Sequence, residues 1–276
     1  MKKSIIPLIL ITFLILNLSF VAVFRDLSFA KSQNGEIIFG DDSGNADYEN
    51  IQDAINAAKE HYTIYVYNGI YYENIRIDKN INLVGENKNS TIIDGNNYGN
   101  AITLLPSSNY VNITGFTIRN SGNGYKDAGI DIDSDYAKIA GNIIKECKYG
   151  IINEFWGHNC KIYSNTIKKN TIGIFIYSIN PNNNLFYHNN FIENNINAYD
   201  ESSSVWSYNE KGNYWHDYKG VDEDGDGIGD TPYYIPGGTA EDKNPLMKEY
   251  ETPGFEIFLV IFSLIFIIVI FLFKKK

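Results

Sequence analysis

The chain has 276 residues and a formal net charge of −10 at pH 7. This acidic balance argues against nucleic acid and other anionic polymers as unaided ligands, and it favours cations or neutral partners. The two cysteines, Cys147 and Cys160, are too few for a disulfide framework, so they form either one bridge or two buried thiols.

The first 30 residues predict a secretory signal peptide. Lys2 and Lys3 precede an apolar run, and Ser28 and Ala30 are the small residues that signal peptidase requires before its cut. An uncleaved N-terminal anchor is the alternative. Both interpretations place the rest of the chain outside the cell.

Residues 48–60 predict an amphipathic helix. Its apolar stripe recurs at spacings of three and four residues and consists of Ile51, Ala54, Ile55 and Ala58. Asp47 is placed to cap the first turn. We expect this helix to cover the N-terminal end of a domain that spans residues 31–216.

The middle of the chain is a repeat of about 24 residues. Four copies align on asparagines that are 23, 24 and 24 residues apart, namely Asn142, Asn165, Asn189 and Asn213. Within each copy, short runs alternate apolar and polar residues, which is the period of strands. No copy is long or apolar enough to fold alone, so the copies must stack. The repeat therefore predicts an all-β, right-handed parallel β-helix in which the asparagine side chains hydrogen-bond along a ladder.

Three carboxylates are predicted on the outward face of this β-helix. When the strands after Gly129 and Gly150 are aligned, Asp133 and Glu154 share one column, and Asp131 lies two residues before Asp133. Carboxylates on adjacent turns lie roughly 5 Å apart, which raises the pKa of one and suits acid and base work on a glycosidic bond. A solvated acidic face is the alternative. No lysine or arginine is predicted beside these carboxylates, which argues against a lyase.

Aromatic residues are predicted next to the carboxylates. Tyr177 falls in the column of Asp133 and Glu154, and Phe155 and Trp156 follow Glu154 directly. Their rings can stack against sugar rings. Ordinary aromatic residues of a loop are the alternative.

The stretch VDEDGDGIGD, residues 221–230, resembles a calcium loop. Its ligand positions 1, 3, 5, 7 and 9 are occupied by Asp222, Asp224, Asp226, Ile228 (through its carbonyl) and Asp230. Position 12 is Tyr233 rather than a bidentate glutamate, so the pattern fits either calcium or a hydrated acidic turn. In both cases we interpret residues 217–250 as an acidic, glycine-rich cap on the C-terminal end of the β-helix.

Residues 251–276 predict a membrane anchor. Seventeen apolar residues, Ile257 to Phe273, are just enough to cross the bilayer as a helix. Lys274, Lys275 and Lys276 then keep the short tail on the cytoplasmic side.

Two resemblances to known families rest on these motifs. The stretches IQDAINAA, YENIRIDKNINLVGENKNSTIIDG, VNITGFTI and GNYWHDYKGVDEDGDGIGDTPYYI resemble NosD-type β-helix proteins, within the pectate-lyase-like class of carbohydrate-binding and sugar-hydrolase helices. That class implies the fold, and it includes copper-maturation proteins, polysaccharide lyases, epimerases and surface proteins. Pro253, Gly254 and Phe255, followed by the apolar run and the lysines, resemble an archaeal PGF-CTERM sorting signal. This resemblance implies an archaeosortase that removes the tail and a lipid anchor that replaces it.

Three functions are compatible with the sequence. The favoured one is a structural or glycan-binding module anchored at the cell surface, with an envelope glycan or a surface protein, such as an S-layer, as its partner. The second is a glycan-modifying enzyme, a hydrolase, lyase or epimerase, that uses Asp131, Asp133 and Glu154. The third is a NosD-like copper-handling protein. Copper is disfavoured because the four histidines are scattered and no soft-metal spacing is present.

Overall fold

The computed structural model describes residues 37–44, 46–154, 156–177, 182–202 and 204–251. The predicted signal peptide, the sorting motif Pro253, Gly254 and Phe255, and the apolar run of the anchor lie outside the described residues. Among the residues that are described, no helix is long and apolar enough to cross a membrane.

The described chain is a right-handed parallel β-helix. In chain order its elements are β1 (Ile37–Gly40), α1 (Ile51–Ala57), β2 (Thr63–Val66), β3 (Gly69–Tyr72), β4 (Ile75–Ile77), β5 (Asn82–Gly85), β6 (Thr91–Asp94), β7 (Ile102–Leu104), β8 (Asn112–Thr114), β9 (Thr117–Arg119), β10 (Ala128–Ile132), β11 (Lys138–Ala140), β12 (Ile143–Lys145), β13 (Tyr149–Asn153), β14 (Lys161–Tyr163), β15 (Thr166–Lys168), β16 (Ile172–Ile176), β17 (Leu185–Tyr187), β18 (Asn190–Ile192), β19 (Ile196–Asp200), β20 (Tyr214–Trp215), β21 (Tyr233–Tyr234) and β22 (Glu241–Asp242).

Three parallel sheets form the sides of the solenoid. Sheet 1 has the order β1-β2-β5-β8-β11-β14-β17, sheet 2 has the order β4-β7-β10-β13-β16-β19, and sheet 3 has the order β3-β6-β9-β12-β15-β18-β20. Each repeat contributes one strand to each sheet, as in β11, β12 and β13, before the next turn begins. This architecture confirms the all-β, parallel β-helix that the repeat predicts.

The core consists of three ladders of apolar side chains, one from each sheet. Sheet 1 contributes Ile64, Leu83, Ile113, Ile139, Ile162 and Phe186, sheet 2 contributes Ile75, Ile102, Ile130, Ile151, Ile174 and Ala198, and sheet 3 contributes Ile93, Ile118, Ile144, Ile167, Phe191 and Trp215. All of these side chains are buried. Each isoleucine burial contributes about 1.5–3 kcal/mol, so the stacked turns supply what one copy cannot.

The repeated asparagines form a buried ladder at the corner between sheets 1 and 3. Asn165 Oδ1 accepts hydrogen bonds from the backbone N–H (3.0 Å) and Nδ2 (3.2 Å) of Asn142, and Asn189 Oδ1 accepts the same two from Asn165 (3.1 and 3.0 Å). Asn213 repeats this arrangement with Asn189 (3.1 and 3.0 Å). Each rung therefore donates its backbone N–H and one Nδ2 hydrogen bond toward the C-terminal end of the solenoid, while Nδ2 also donates to a backbone carbonyl of the preceding turn, as from Asn165 to Ile139 at 2.8 Å.

The N-terminal helix is shorter than the sequence predicts. It spans Ile51–Ala57 rather than residues 48–60, and Asp47 does not cap it, because this carboxylate accepts a hydrogen bond from Phe39 N at 3.0 Å. Glu73, from the turn before β4, instead accepts hydrogen bonds from the N–H groups of Ile51 and Gln52, both at 2.8 Å. A carboxylate that is distant in sequence thus satisfies the helix N-terminus.

Two tryptophans close the C-terminal end of the core. The ring of Trp215 lies between Phe191 and Tyr233, with ring centroids 4.3 and 4.1 Å away. The ring of Trp206 stacks on Phe186 at 4.2 Å. The last apolar residues of the sheet 1 and sheet 3 ladders are therefore covered by aromatic rings rather than by a further turn.

Each of these tryptophans donates its indole N–H to a fully buried carboxylate. Trp206 Nε1 donates to Asp200 at 2.9 Å, and Trp215 Nε1 donates to Asp242 at 2.9 Å. Asp242 Oδ2 also accepts the backbone N–H of Asn213 at 2.7 Å, so it occupies the position of the next rung of the asparagine ladder.

Candidate functional site

The three predicted carboxylates meet on the outer face of sheet 2. Asp131 lies in β10, opposite Thr103 of β7 and Ile152 of β13. When the registers of β10 with β13 and of β13 with β16 are continued past the strand ends, they bring Asp133, Glu154 and Tyr177 into one column. We call the surface formed by these three carboxylates and the exposed rings of Tyr125, Trp156 and Tyr177 the acidic-aromatic face.

Asp131 is held by a side chain from the preceding turn. Asn100 Nδ2 donates a hydrogen bond to Asp131 Oδ2 at 2.8 Å, while Asn100 Oδ1 accepts the backbone N–H of Ala128 at 2.8 Å. Burial and the neighbouring charge of Asp133 raise the pKa of Asp131 to about 7. Asp131 is therefore partly protonated near neutral pH and can donate or accept a proton.

A lysine lies beside the carboxylates, so the prediction that no cation is present there is wrong. Lys126 Nζ forms an ion pair and hydrogen bond with Glu154, which is 8% exposed. Lys126 comes from the eight-residue connection between β9 and β10, whereas the corresponding connections in the next two turns have three residues. Because this loop is an insertion in the repeat, the alignment of copies cannot place its side chains.

The charges on this face act on one another. The hydrogen bond to Glu154 raises the pKa of Lys126. Burial, followed by the charge of Glu154, raises the pKa of Asp133, and Lys126 opposes that shift. The face therefore combines mutually repelling carboxylates with the ammonium group of Lys126, which partly compensates them.

Aromatic rings surround the carboxylates. Trp156 is 61% exposed and Tyr177 is 43% exposed, whereas Phe155 lies outside the described residues. Sequence reasoning missed Tyr125, which is 80% exposed and precedes Lys126 on the insertion loop. Lys126 Nζ lies 5.3 Å from the centroid of the Tyr125 ring. Exposed rings thus lie on the loops at both edges of the face.

A further aromatic column follows the axis of the solenoid on the same face. Phe175 stacks on Tyr199 with ring centroids 5.2 Å apart, and it contacts Tyr149 at 5.1 Å and Tyr177 at 6.3 Å. Phe175 and Tyr199 occupy the register position of Asp131, two and three turns later. The alternation of inward and outward side chains along each strand would have predicted these outward-facing rings from the sequence.

The acidic loop brings three of its predicted calcium ligands together. Carboxylate oxygens of Asp222, Asp224 and Asp226 lie within 4.8 Å of one another. Asp222 also accepts hydrogen bonds from backbone N–H groups of the loop, at 2.8 Å from Gly225 and 2.9 Å from Gly227. Both calcium and a hydrated acidic turn remain compatible with this geometry.

The other two predicted ligands have structural roles in the described loop. Asp230 Oδ2 accepts the backbone N–H of Glu223 at 2.9 Å, so this carboxylate closes the loop. Ile228 pairs with Leu246, which ties the loop to the segment that follows it.

Soft-metal donors do not gather within the described residues. His158 Nδ1 lies 3.1 Å from Asp135, and His188 stacks on Tyr250 at 4.0 Å. Cys147 and Cys160 are unpaired, and burial raises the pKa of their thiols to about 11 and about 12. In this part of the chain, the acidic loop is the one group of three or more candidate ligands, and it offers only oxygen. These donors do not fit a copper ion.

Comparisons with known proteins find a pectinesterase relative and structures of pectin methylesterases. Over 160 residues the chain is 31% identical to an Arabidopsis thaliana protein provisionally named pectinesterase/pectinesterase inhibitor 22; this covers 44% of the chain and 30% of that protein. A pectin methylesterase structure from Aspergillus niger matches with a TM-score of 0.47 and 15% identity, covering 67% of this chain and 65% of that one. The carrot enzyme matches with a TM-score of 0.42 and 16% identity, covering 59% and 67%. The chain thus spans less than a third of the plant relative.

A protein-family model matches a much larger part of the chain. It covers residues 28–220 and is described as periplasmic copper-binding protein (NosD). The match includes all three sheets, the asparagine ladder and the acidic-aromatic face, and it confirms the resemblance carried by the sequence motifs. The chain therefore belongs to the NosD family of β-helix proteins.

Proposed function

We propose that this protein is a glycan-binding β-helix and that the acidic-aromatic face is its binding surface. The observation that carries the proposal is the combination, on one face, of exposed rings at both edges with three carboxylates between them. Tyr125 and Trp156 are 80% and 61% exposed. Asp131, Asp133 and Glu154 lie between the two loops that carry these rings.

The chemistry of this face suits a carbohydrate. The C–H faces of a sugar ring pack on aromatic rings, and the sugar hydroxyls donate hydrogen bonds to carboxylate oxygens. The connection between β9 and β10, which carries Tyr125, has eight residues, and the connection between β13 and β14, which carries Trp156, has seven, whereas the connections between β12 and β13 and between β15 and β16 have three. The two longer loops therefore extend the surface sideways beyond the strands. A flat sheet bordered by such loops can accommodate several units of a linear polymer.

The test is a binding titration of the full-length chain against a panel of neutral glycans, with Trp156→Ala. Loss of one stacking ring weakens binding by about tenfold. Tyr72→Ala is the matched control, because Tyr72 is 65% exposed but lies in sheet 3, and we expect it to leave the affinity unchanged. Equal effects of the two substitutions, or no binding by the unsubstituted protein, would contradict the proposal.

A glycan-modifying enzyme is the second candidate. It is supported by Asp131, whose pKa is raised to about 7 beside Asp133, because a general acid works best when its pKa is near the working pH. Asp133→Asn and Glu154→Gln separate the two functions. In a binding module these substitutions leave affinity for neutral glycans largely intact, whereas in an enzyme they abolish product formation.

We place this function outside the cytoplasm. The apolar runs at both ends of the sequence and the description of the family as periplasmic support this location. Anchoring through residues 251–276, with or without processing by signal peptidase and an archaeosortase, is part of the same proposal. Proteolysis of intact cells and mass measurement of the mature protein test it.

A further inference from the structure

The ammonium of Lys126 pairs with one of the three carboxylates on the acidic-aromatic face. Its Nζ is paired with Glu154, and its charge also acts on Asp131 and Asp133. The two members of the pair differ in exposure: the side chain of Glu154 is 10% exposed and that of Lys126 is 43% exposed. The carboxylate is therefore built into the face, whereas the cation reaches it from the solvent side.

The element that carries Lys126 lies outside the repeat. Lys126 has a φ of 71°, in the left-handed region, and it lies in the eight-residue connection between β9 and β10. The loop is held by its own contacts, in which Gly124 N donates to Asp127 Oδ2 and Lys148 Nζ donates to Gly124 O, each at 2.7 Å. Movement of the Lys126 side chain away from Glu154 thus leaves the strands of sheet 2 in place.

We propose, on the basis of the glycan-binding function above, that this face binds the primary ammonium group of an amino sugar, and that Lys126 occupies the position of that group when no ligand is bound. Even with Asp131 partly protonated, the carboxylates of Asp133 and Glu154 outnumber the ammonium of Lys126, so the face attracts a cation and repels a uronate. The rings of Tyr125 and Trp156 border the same place and can cover the sugar ring that carries the ammonium.

The electrostatics of Asp131 agree with this assignment. Burial, Asp133 and Glu154 all raise the pKa of Asp131, while Lys126 lowers it. Lys126 therefore compensates the charge of these carboxylates only in part. A ligand ammonium between them relieves their repulsion, whereas an N-acetylated sugar carries no charge and cannot do so.

The experiment compares two oligosaccharides on the full-length chain, namely a glucosamine hexamer and its N-acetylated counterpart, by calorimetry near pH 6 at low salt. We expect the unsubstituted protein to prefer the glucosamine hexamer. Lys126→Gln removes the competing ammonium, so we expect it to bind this hexamer about threefold more tightly, as for a partly exposed ion pair. Affinity for the N-acetylated hexamer stays the same.

Three further variants serve as controls. Lys126→Arg keeps the charge and should behave like the unsubstituted protein, even where Lys126→Gln folds poorly. Glu154→Gln should lose the preference for glucosamine. Lys138→Gln removes an exposed lysine from the outer face of sheet 1 and should change nothing.

Several outcomes would overturn the inference. Weaker binding of the glucosamine hexamer by Lys126→Gln would mean that the lysine recruits anionic ligands instead. Spermidine that competes as well as the hexamer would show cation binding without sugar recognition. Equal binding of both hexamers, with loss on Trp156→Ala, would reject the ammonium site and leave glycan binding standing. If neither hexamer nor any neutral glycan binds, both proposals fail.

Discussion

The two ends of this solenoid cover the exposed end of the apolar core in different ways. At the N-terminal end a short amphipathic helix covers the core with Ile51, Ala54 and Ile55, and its polar groups are satisfied by Glu73 near the surface. At the C-terminal end two tryptophans cover the core, and the fully buried carboxylates of Asp200 and Asp242 accept their indole N–H groups. An open end thus needs both an apolar cover and partners for the polar groups that the repeat leaves behind.

The direction of the hydrogen bonds in the asparagine ladder explains why a carboxylate terminates the ladder at its C-terminal end and not at its N-terminal end. Each rung donates its backbone N–H and one Nδ2 hydrogen bond toward the C-terminal end, in addition to the Nδ2 hydrogen bond to the preceding turn, so the last rung, Asn213, requires an acceptor on that side. A further asparagine would leave its own Nδ2 in need of another acceptor. Asp242 accepts and donates nothing when ionised, so it ends the ladder. The ladder begins without such a requirement, because Asn142 Oδ1 accepts the backbone N–H of Phe116 at 3.0 Å.

Among the variants that test this difference between the two ends, Asp242→Ala should have the largest effect on stability. The substitution leaves the backbone N–H of Asn213 and the indole N–H of Trp215 buried without an acceptor, which destabilises the protein by about 3–5 kcal/mol. Denaturant unfolding monitored by tryptophan fluorescence measures the loss. Glu241→Ala, at the neighbouring and partly exposed position, is the control and should cost less than about 0.5 kcal/mol. Similar losses in both variants would show that Asp242 is not the ladder terminus.

The same carboxylate predicts an unusual pH dependence at the C-terminal end. Burial raises the pKa of Asp242 to about 6 in the folded protein, above its ordinary value of 3.8. The folded state therefore binds this proton more tightly than the unfolded state, and stability rises as pH falls through about 6 and levels off below about 4, by about 2–3 kcal/mol.

Subtraction isolates the contribution of Asp242 to that dependence. We expect the difference in unfolding free energy between the protein and Asp242→Asn to change between about pH 4 and pH 6, because the variant lacks the titrating group. A difference that is constant across this range, or one that changes in the opposite direction, would contradict the predicted shift. Exposed carboxylates titrate in the same way in both proteins, so their contributions cancel in this difference.

These two ends also show what the sequence can predict. The period of the asparagines determines the fold, because copies that cannot fold alone have to stack in register. The ladder terminus could not be predicted, since Asp242 lies 29 residues after Asn213 and breaks the 24-residue spacing. Glu73 and Lys126 were missed for the same reason. Each reaches its partner from a turn or an inserted loop, where the repeat carries no information about position.

Glu73→Ala tests the N-terminal end and should have a smaller effect. Loss of the carboxylate removes the acceptor for the N–H groups of Ile51 and Gln52, whose hydrogen bonds to Glu73 are only partly buried, unlike those of Asp242. We expect a loss of about 1 kcal/mol, as for other helix caps. Hydrogen exchange should show the opening confined to α1. A global loss as large as that of Asp242→Ala would mean that both ends depend equally on a buried carboxylate.

Calcium should have an effect no larger than that of Glu73→Ala, and it should act on the C-terminal end alone. The loop of Asp222, Asp224 and Asp226 is tied to the end of the solenoid through Gly229 N, which donates to Pro245 O at 2.8 Å. Extracellular calcium sites of this kind bind in the millimolar range, so calcium at five times the dissociation constant stabilises the fold by about 1 kcal/mol.

Thermal melts with and without calcium measure the resulting shift in melting temperature, and Asp224→Asn with Asp226→Asn should abolish it. A shift that persists in the variant would place the ion elsewhere, and the absence of any shift would leave a hydrated acidic turn. Because the described residues beside α1 contain no such cluster of carboxylates, hydrogen exchange in α1 should be the same with and without calcium.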